Sequence, residues 1–228
     1  MTMNKHTASS TYSSLIINSK ELDKAYNKLD EDQLYYFKSF DNHLISCVNA
    51  PSGSGKTFVA ILKALQTFNE GEVNRIYYIR IPDDRSLRLG YLPGTSDDKQ
   101  SIYTLPFYNA CNNLGIRDEE IDMARNNNEI VLCTDISLRG TNINNAFVII
   151  DEAQNGRLSD LKLILTRISD TCKVALIGHS AQYDNFKGTN EKAFEKYISH
   201  LTKKSWAIEC KLNKNYRGKL STWADELY

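Results

Sequence analysis

A glycine-rich loop between a strand and a helix is the feature that most constrains the fold of this chain. Residues 50–57 read Ala-Pro-Ser-Gly-Ser-Gly-Lys-Thr. A short apolar segment, residues 44–49, precedes the loop, and residues 56–68 follow it with a helical pattern. Gly53 and Gly55 allow backbone N–H groups to turn inward around an anion, and the helix directs its positive end at the same place. This order predicts an α/β fold with a phosphate site.

The loop fits the Walker A pattern with one departure. Lys56 is placed to reach the β- and γ-phosphates of a nucleotide, and the Thr57 hydroxyl is placed to ligate Mg²⁺. The strict pattern begins with glycine, and Ala50 stands in that place. We therefore predict a nucleotide site formed by the whole loop. The predicted nucleotide-binding residues are Ala50, Pro51, Ser52, Gly53, Ser54, Gly55, Lys56 and Thr57.

A second motif lies at the end of another apolar segment. Residues 146–150 are Ala-Phe-Val-Ile-Ile, and Asp151 and Glu152 follow directly. An apolar strand that ends in two acids is typical of the Walker B pattern, in which the first acid holds Mg²⁺. The second acid orients and deprotonates the attacking water as general base. We therefore predict Thr57 and Asp151 as metal ligands and Glu152 as a catalytic residue.

Strands and helices alternate along most of the chain. Strand patterns cover residues 44–49, 75–81, 130–133, 146–150, 173–177 and 206–209. Helical patterns cover residues 22–29, 30–39, 56–68, 158–168, 189–202 and 220–227. The alternation predicts an α/β fold with a mostly parallel central sheet between two layers of helices. No repeat or Pro/Gly-rich linker divides the chain, so we predict one domain over residues 21–228. A polar, loosely ordered leader is expected over residues 1–20.

Two of these helical patterns allow more specific predictions, one for where the helix begins and one for which side of the helix is buried. Asp30 has the properties of an N-cap for the helix that runs to residue 39. In the pattern at residues 158–168, Leu161, Leu165 and Ile168 are expected to share one buried face.

Composition excludes several classes of protein. Of the 228 residues, 41% are hydrophobic and 25% are charged, which is ordinary for a soluble globular protein. Lys and Arg number 28, and so do Asp and Glu, which excludes a strongly basic nucleic-acid binder but leaves room for a local basic groove. The apolar runs are too short to cross a membrane, and no secretory signal begins the chain. The five cysteines lack a CxxC pair, so reduced cysteines in a cytoplasmic protein without a membrane partner are expected.

Further segments resemble the PhoH-like ATPases, a family of P-loop proteins related to the motor core of superfamily 1 helicases. Residues 145–155, Asn-Ala-Phe-Val-Ile-Ile-Asp-Glu-Ala-Gln-Asn, are similar to the second signature of that family. Residues 88–94, Arg-Leu-Gly-Tyr-Leu-Pro-Gly, resemble its characteristic loop after the second strand. Leu-Thr-Arg-Ile at residues 165–168 and Gly-His-Ser-Ala-Gln at residues 178–182 follow in the family's order. The resemblance covers residues 30–228 and implies a three-layer, RecA-like P-loop NTPase domain that binds ATP and Mg²⁺.

The resemblance also implies roles for residues outside the two Walker motifs. Gln182 resembles the helicase glutamine that contacts the γ-phosphate and water. Arg217 closes Leu-Asn-Lys-Asn-Tyr-Arg and resembles the superfamily 1 arginine that reaches the γ-phosphate. Gln33 resembles the glutamine that reads the adenine edge and joins the nucleotide-binding set. The predicted catalytic residues are therefore Lys56, Glu152, Gln182 and Arg217, with Arg80 and Arg88 as further candidates for phosphate or nucleic-acid contact. His179 replaces the aspartate that the family usually has after the glycine of this strand, and both a structural and a functional role stay open for it.

The motifs and the resemblance together favour an Mg²⁺-dependent, helicase-like ATPase coupled to RNA or single-stranded DNA. The coupling is implied by the resemblance, because the scattered lysines near the C-terminus are typical of a solvated face and no RNA-binding signature is present. The chain is too short for the second motor domain of a superfamily 1 helicase. Either the protein is an ATPase switch only, or another subunit supplies the partner surface, and the resemblance implies a homo-oligomeric ring, such as a hexamer. Closure of such a ring could place Arg217 near a neighbour's nucleotide, and action of Arg217 within its own chain stays open.

Two other functions stay open at this point. A nucleotide-gated regulatory protein with little turnover fits the same loop, and the altered residue His179 keeps this alternative open. A thymidine-kinase-like nucleoside kinase also combines a P-loop with Asp-Glu-Ala-Gln. Such kinases usually carry zinc-binding cysteine pairs, which this chain lacks, and they lack its Gly-x-x-x-Gln and Asn-Tyr-Arg elements.

Overall fold

The fold is seen in a computed structural model that describes most of the chain. The described residues are 15, 17–82, 96–134, 138, 140–181 and 193–225. The predicted family loop at residues 88–94, the predicted catalytic residue Gln182 and most of the predicted leader lie outside them.

Within the described ranges the chain forms eight α-helices and six strands. The helices are α1 (Ser19–Tyr26), α2 (Glu31–Asn42), α3 (Lys56–Asn69), α4 (Ser96–Asn113), α5 (Asp118–Asn126), α6 (Leu158–Leu165), α7 (Ala193–Leu201) and α8 (Lys219–Asp225). The strands are β1 (Ile45–Asn49), β2 (Arg75–Arg80), β3 (Ile130–Cys133), β4 (Ala146–Asp151), β5 (Lys173–Gly178) and β6 (Ala207–Cys210). A short 3-10 helix, Ala153–Asn155, follows β4.

The six described strands form one parallel sheet in the order β3-β2-β4-β5-β1-β6. Strand β5 lies between β1, which leads into the glycine-rich loop, and β4, which ends in the two acids. The carboxyl ends of these three strands therefore meet at one edge of the sheet. Ligands of open α/β sheets bind at this edge, so the topology brings the two Walker-type motifs together.

Helices cover both faces of the sheet, and strand β4 contributes to the core on each side. Phe147 and Ile149 pack in the apolar cluster that includes helices α2 and α3. Val148 and Ile150 pack in the opposite cluster, with helices α6 and α7. A strand buried on both faces alternates its side chains between two cores. This arrangement confirms the predicted three-layer α/β fold with a parallel central sheet.

The predicted strands and the helices at residues 30–39 and 56–68 are confirmed, with ends shifted by a few residues. The helix predicted over residues 158–168 is wrong at its C-terminal end, since α6 ends at Leu165. Beyond it the chain turns, and Ile168 forms a β-bridge with Ile143. The buried residues of α6 are Leu161 and Ile164. The predicted Leu165 and Ile168 are partly buried against the same apolar cluster, although Ile168 lies beyond the end of the helix.

Helices α4 and α5 were not predicted. Helix α4 contains Pro106, which usually interrupts a helix, and its polar residues obscure the apolar period. Helix α5 begins with three acids, Asp118, Glu119 and Glu120, which is a start signal for a helix that the sequence reading missed. None of the described helices combines the length and the apolar character needed to span a bilayer.

Candidate nucleotide site

The loop between β1 and α3 has the backbone of a phosphate cradle. Gly53 and Gly55 have φ angles of 78° and 85°, a conformation that favours glycine. Gly55 is the N-cap of α3, so the positive end of that helix faces the loop. Ser54 Oγ donates to the backbone oxygen of Pro51 at 2.8 Å and closes the turn. The geometry fits an anion of the size of a phosphate group.

Ala50, the departure from the strict Walker A pattern, is accommodated by the core. Ala50 is 3% exposed and belongs to the apolar cluster that includes α2 and α3. Its backbone N–H donates to the carbonyl oxygen of Gly178 at 3.2 Å, so the loop begins where β1 is still joined to β5. The methyl group of Ala50, which a glycine at this position would not have, therefore packs in the protein interior.

Lys56 is folded back against the loop. Its Nζ donates to the backbone oxygens of Ala50 and Pro51 at 2.6 and 2.8 Å. A bound phosphate would offer this ammonium group a charged partner in place of two neutral carbonyls, and charge-assisted bonds are the stronger kind. The position suits the predicted role of Lys56 as a phosphate ligand.

The two carboxylate oxygens of Asp151 have different partners. One accepts from Thr57, at the end of the loop, and the other accepts from the neighbouring strand β2. Thr57 Oγ1 donates to Asp151 Oδ1 at 3.3 Å. Tyr78 Oη donates to Asp151 Oδ2 at 2.5 Å, and Arg80 Nη1 lies 3.7 Å from the same oxygen. Burial raises the pKa of Asp151 and the charge of Glu152 adds to this effect, while Arg80 opposes it.

Thr57 and Asp151 fit a divalent cation. A hydroxyl and a carboxylate at this separation are hard oxygen ligands of the kind that Mg²⁺ accepts. Burial makes the Asp151 charge costly, so a cation beside Oδ1 would stabilise it. Mg²⁺ usually keeps several waters and takes further ligands from phosphates, so two protein oxygens suffice.

Glu152 has an unusual backbone conformation at the open end of β4. Its φ and ψ are 54° and 38°, in the left-handed region that non-glycine residues rarely adopt. Its carboxylate accepts from Gln154 Nε2 at 2.6 Å and from Arg80 Nη2 at 3.5 Å. The side chain is 34% exposed, so water can reach it. A carboxylate that is fixed by two hydrogen bonds and is still accessible to water suits the predicted general base.

Gln154 is a positioning residue of this site that sequence reasoning missed, although it was part of the quoted signature. Its Oε1 accepts from the backbone N–H of His179 at 3.0 Å, while its Nε2 bonds Glu152. The residue is only 3% exposed. A polar side chain two residues after the predicted base was the signal available in the sequence. The structure uses this amide to join Glu152 to the end of β5.

The turn after β5 is fastened to β1 as well. Asn49 Nδ2 donates to Ser180 Oγ, and the backbone N–H of Ser180 donates to Asn49 Oδ1, both at 2.9 Å. Gln182, predicted as catalytic, comes two residues later in the sequence and lies outside the described residues. His179 contributes its backbone N–H to this end of β5 through the bond to Gln154 Oε1.

Arg217 lies over the phosphate loop of its own chain. Its Nη1 donates to Ser52 Oγ at 2.6 Å. A Cβ atom added to Gly53 would meet Arg217 Cγ at 2.8 Å and Asn215 Oδ1 at 2.7 Å. The structure therefore brings Arg217 to the loop without a second copy of the chain.

A pocket of about 540 Å³ adjoins the loop beside Gly55. Its lining includes the side chains of Leu29, Gln33, Phe58 and Tyr216. Gln33 Nε2 donates to the backbone oxygen of Ser54 at 3.1 Å, and Gln33 Oε1 accepts from the Asp30 backbone N–H at 3.4 Å. Gln33 thus lies where a base-reading residue is expected, with its amide bonded to the loop and to the cap of α2.

One solved structure with a similar fold is that of the DUF1998 helicase MrfA bound to DNA and AMPPNP. The TM-score is 0.50 at 17% sequence identity, and the match covers 87% of this chain and 29% of that chain. This likeness concerns the fold alone.

Curated relatives carry the name PhoH-like protein or PhoH. The PhoH-like protein of Mycobacterium leprae is 33% identical over 153 residues, which are 67% of this chain and 44% of that protein. The PhoH-like protein of Bacillus subtilis is 34% identical over 139 residues, which are 60% of this chain and 43% of that protein. Protein PhoH of Escherichia coli is 29% identical over 160 residues, which are 70% of this chain and 45% of that protein. The matched segments span less than half the length of these relatives.

A family model described as PhoH-like protein matches residues 27–228. It includes the loop, both acids at the end of β4, and the segment that carries Arg217. Because this match covers most of the chain, the protein belongs to the PhoH-like family.

Proposed function

We propose that this protein binds ATP with Mg²⁺ and hydrolyses it. The observation that carries the proposal is the meeting of the two Walker-type motifs at one sheet edge, where Thr57 Oγ1 lies 3.3 Å from Asp151 Oδ1. Lys56 lies in the loop on one side of this contact, and Glu152 follows it on the other. This is the set of groups that phosphoryl transfer to water requires.

The residues of this edge have different tasks. The loop and Lys56 hold the phosphates, and Thr57 with Asp151 would hold Mg²⁺, which when bound neutralises charge on the phosphate oxygens. Glu152 takes the proton of the attacking water. Arg217, above Ser52, stabilises the charge that develops on the transferred phosphoryl group.

We assign the nucleobase to the pocket of about 540 Å³ beside Gly55. Leu29 and Phe58 offer apolar surface there, and Tyr216 offers an aromatic ring. Nucleotide pockets generally combine such apolar walls with a few polar groups. Gln33 would supply the polar contact by exchanging its weak 3.4 Å bond with the Asp30 backbone for one with the base.

Coupling to RNA or single-stranded DNA, assembly into a homo-oligomeric ring and a cytoplasmic location remain parts of the proposal. The first two rest on the resemblance to the PhoH-like ATPases. Several lysines near the strand β6 and helix α8 are exposed and would add positive charge to that side: Lys203, Lys204, Lys211, Lys214 and Lys219.

Phosphate release from ATP tests the proposal. We expect Mg²⁺-dependent release that EDTA abolishes and that RNA or single-stranded DNA stimulates. Lys56→Ala should abolish release, while Lys162→Ala, which removes an exposed lysine from α6, should not. Binding of ATP without turnover would favour a nucleotide-gated regulatory protein, and phosphate transfer to thymidine would favour a nucleoside kinase. Absence of nucleotide binding by the folded protein would contradict the assignment of the loop.

A further inference from the structure

Residues 212–217, here called the C-terminal strap, cross the phosphate loop between β6 and α8. The strap has neither helix nor strand structure, so individual contacts fix its position. The backbone N–H of Tyr216 donates to the Gly53 carbonyl oxygen at 2.9 Å. Arg217 Nη1 donates to Ser52 Oγ at 2.6 Å. The end of the strap therefore lies directly on the loop.

Two carboxylates at the N-terminus of α2 hold the strap from the opposite side. Asp32 Oδ2 accepts from the Asn213 backbone N–H at 3.2 Å and from Asn213 Nδ2 at 2.9 Å. Asp30 Oδ2 accepts from the Tyr216 hydroxyl. The strap is thus held near both of its ends by a helix that is remote in sequence.

The same turn of α2 is connected to the loop itself. Asp30 Oδ1 accepts from the Gln33 backbone N–H at 2.8 Å, which caps the helix. The Gln33 side chain then donates to Ser54 O at 3.1 Å. A Cβ atom at Gly55 would meet Gln33 Nε2 at 2.6 Å, so the approach is close. The helix terminus, the strap and the loop form one continuous network of contacts.

We propose that Asp30 and Asp32 are positioning residues that act through Arg217. The inference rests on the proposed role of Arg217 in ATP hydrolysis. Ordering the backbone that carries Arg217 at each turnover would cost conformational entropy. The two aspartates fix that backbone before the nucleotide arrives. Asp32 is the sharper test, because Asp30 also caps α2.

The kinetic test compares Asp32→Ala with Glu31→Ala, which removes an exposed acid from the same turn of α2. We expect Asp32→Ala to lower kcat by up to about 10²-fold with little change in KM, since misplacement of a group acting on the transition state has this signature. Glu31→Ala should retain the parent kcat. Asp32→Asn should recover most of the loss, because its side-chain oxygen still accepts from Asn213.

A double-mutant cycle shows whether Asp32 acts through Arg217. In the Arg217→Ala background, Asp32→Ala should cause no further loss of kcat. If the kcat loss of the double variant equals the product of the two single losses, Asp32 acts by another route, and this result would overturn the proposal. An unchanged kcat for Asp32→Ala in an active parent would overturn it as well.

Hydrogen exchange at the Tyr216 amide measures how firmly the strap is held on the loop, and it does not require ATP hydrolysis. Asp32→Ala should speed this exchange, while Glu31→Ala and Asp32→Asn should leave it near the parent rate. An inactive parent protein would contradict the proposed ATPase function, and the exchange rates would still decide whether Asp32 holds the strap. Unchanged exchange in a folded Asp32→Ala variant would overturn the proposal. If the alanine variant fails to fold, Asn213→Ala, which removes the Nδ2 bond to Asp32, carries the test and should also speed the exchange.

Discussion

Gln154 Nε2 donates to Glu152 Oε2 at 2.6 Å, and Gln154 Oε1 accepts from the His179 backbone N–H at 3.0 Å. One buried amide therefore joins the predicted base to the end of the neighbouring strand β5. Glu152 has a left-handed backbone, and the bond from Gln154 restricts the rotamers of its carboxylate. The orientation of Glu152 thus depends on a residue that does not touch the phosphate loop.

Gln154→Leu should reduce hydrolysis more than binding. The substitution keeps the volume but removes the bond to Glu152, so we expect kcat to fall by up to about 10²-fold with a small change in ATP affinity. Asn155→Ala is the matched control, because the neighbouring amide contacts the Ile81 backbone instead. Steady-state kinetics and titration with a fluorescent ATP analogue separate the two quantities. A parent-like kcat would remove Gln154 from the set of positioning residues.

Gly178→Ala should destabilise the protein through Gln154. The added Cβ would lie 2.5 Å from Gln154 Oε1 and 3.0 Å from Phe194 Cε1. Overpacking of this kind costs about 1–3 kcal/mol of unfolding free energy. The cost should be smaller in a Gln154→Ala background, where the closest atom is absent. Urea unfolding of the four proteins measures this, and an equal cost in both backgrounds would show that Gln154 is not the obstacle.

The two Walker-type motifs could be predicted from the sequence because each is local. An apolar strand, the loop and the start of α3 lie within a few consecutive residues, and Asp151 directly follows its strand. Their position at one edge agrees with the rule that ligands bind at the carboxyl ends of parallel strands, and the strand order brings them close together.

The supporting residues of the site depend on strand order, which no local pattern contains. Arg80 reaches the acids because β2 pairs with β4 and places Arg80 opposite Asp151. Tyr78 reaches Asp151 from the same strand. The bond between Asp32 and Asn213 joins residues near opposite ends of the chain. Such contacts arise from tertiary packing, so residue types alone could not assign them.

Glu152→Gln should separate ATP binding from hydrolysis. The amide keeps the shape of the side chain and can still accept from Gln154, but it cannot take a proton from water. We expect hydrolysis to fall by roughly 10²–10⁴-fold while ATP remains bound. Glu209→Gln, which changes an exposed acid of β6, serves as control and should hydrolyse ATP at the parent rate. If Glu152→Gln does so too, another group is the base.

Because Asp30 bonds to the strap, we expect the free energy of unfolding to depend on pH in acidic solution. Partial burial raises the pKa of Asp30, but bonds from the Tyr216 hydroxyl and the Gln33 backbone, with the charge of Lys214, outweigh it and hold this pKa below its usual value of 3.8. A carboxyl with a lowered folded pKa stabilises the protein above the unfolded pKa, and this contribution is lost as the pH falls through the folded pKa.

Asp30→Asn isolates that charge, because asparagine also caps helices well. The variant should unfold more easily than the parent at pH 7, and the difference in unfolding free energy should shrink below pH 3.8. Urea unfolding at pH 7 and pH 3 checks the sign. A difference that stays constant between these pH values would show that the Asp30 charge does not stabilise the folded strap.

Arg217 should act on the nucleotide of its own chain, since its Nη1 lies 2.6 Å from Ser52 Oγ of the same loop. An arginine in this role contributes about 10³–10⁵-fold to the rate, so Arg217→Ala should be nearly inactive. Mixing it with Glu152→Gln should restore nothing, because no single chain then holds both groups. Light scattering of the mixture establishes whether the chains assemble, and mixing each variant with the parent is the control. Recovered activity in the mixed assembly would mean that Arg217 serves a neighbour's nucleotide, as a ring would allow, and would contradict action within one chain.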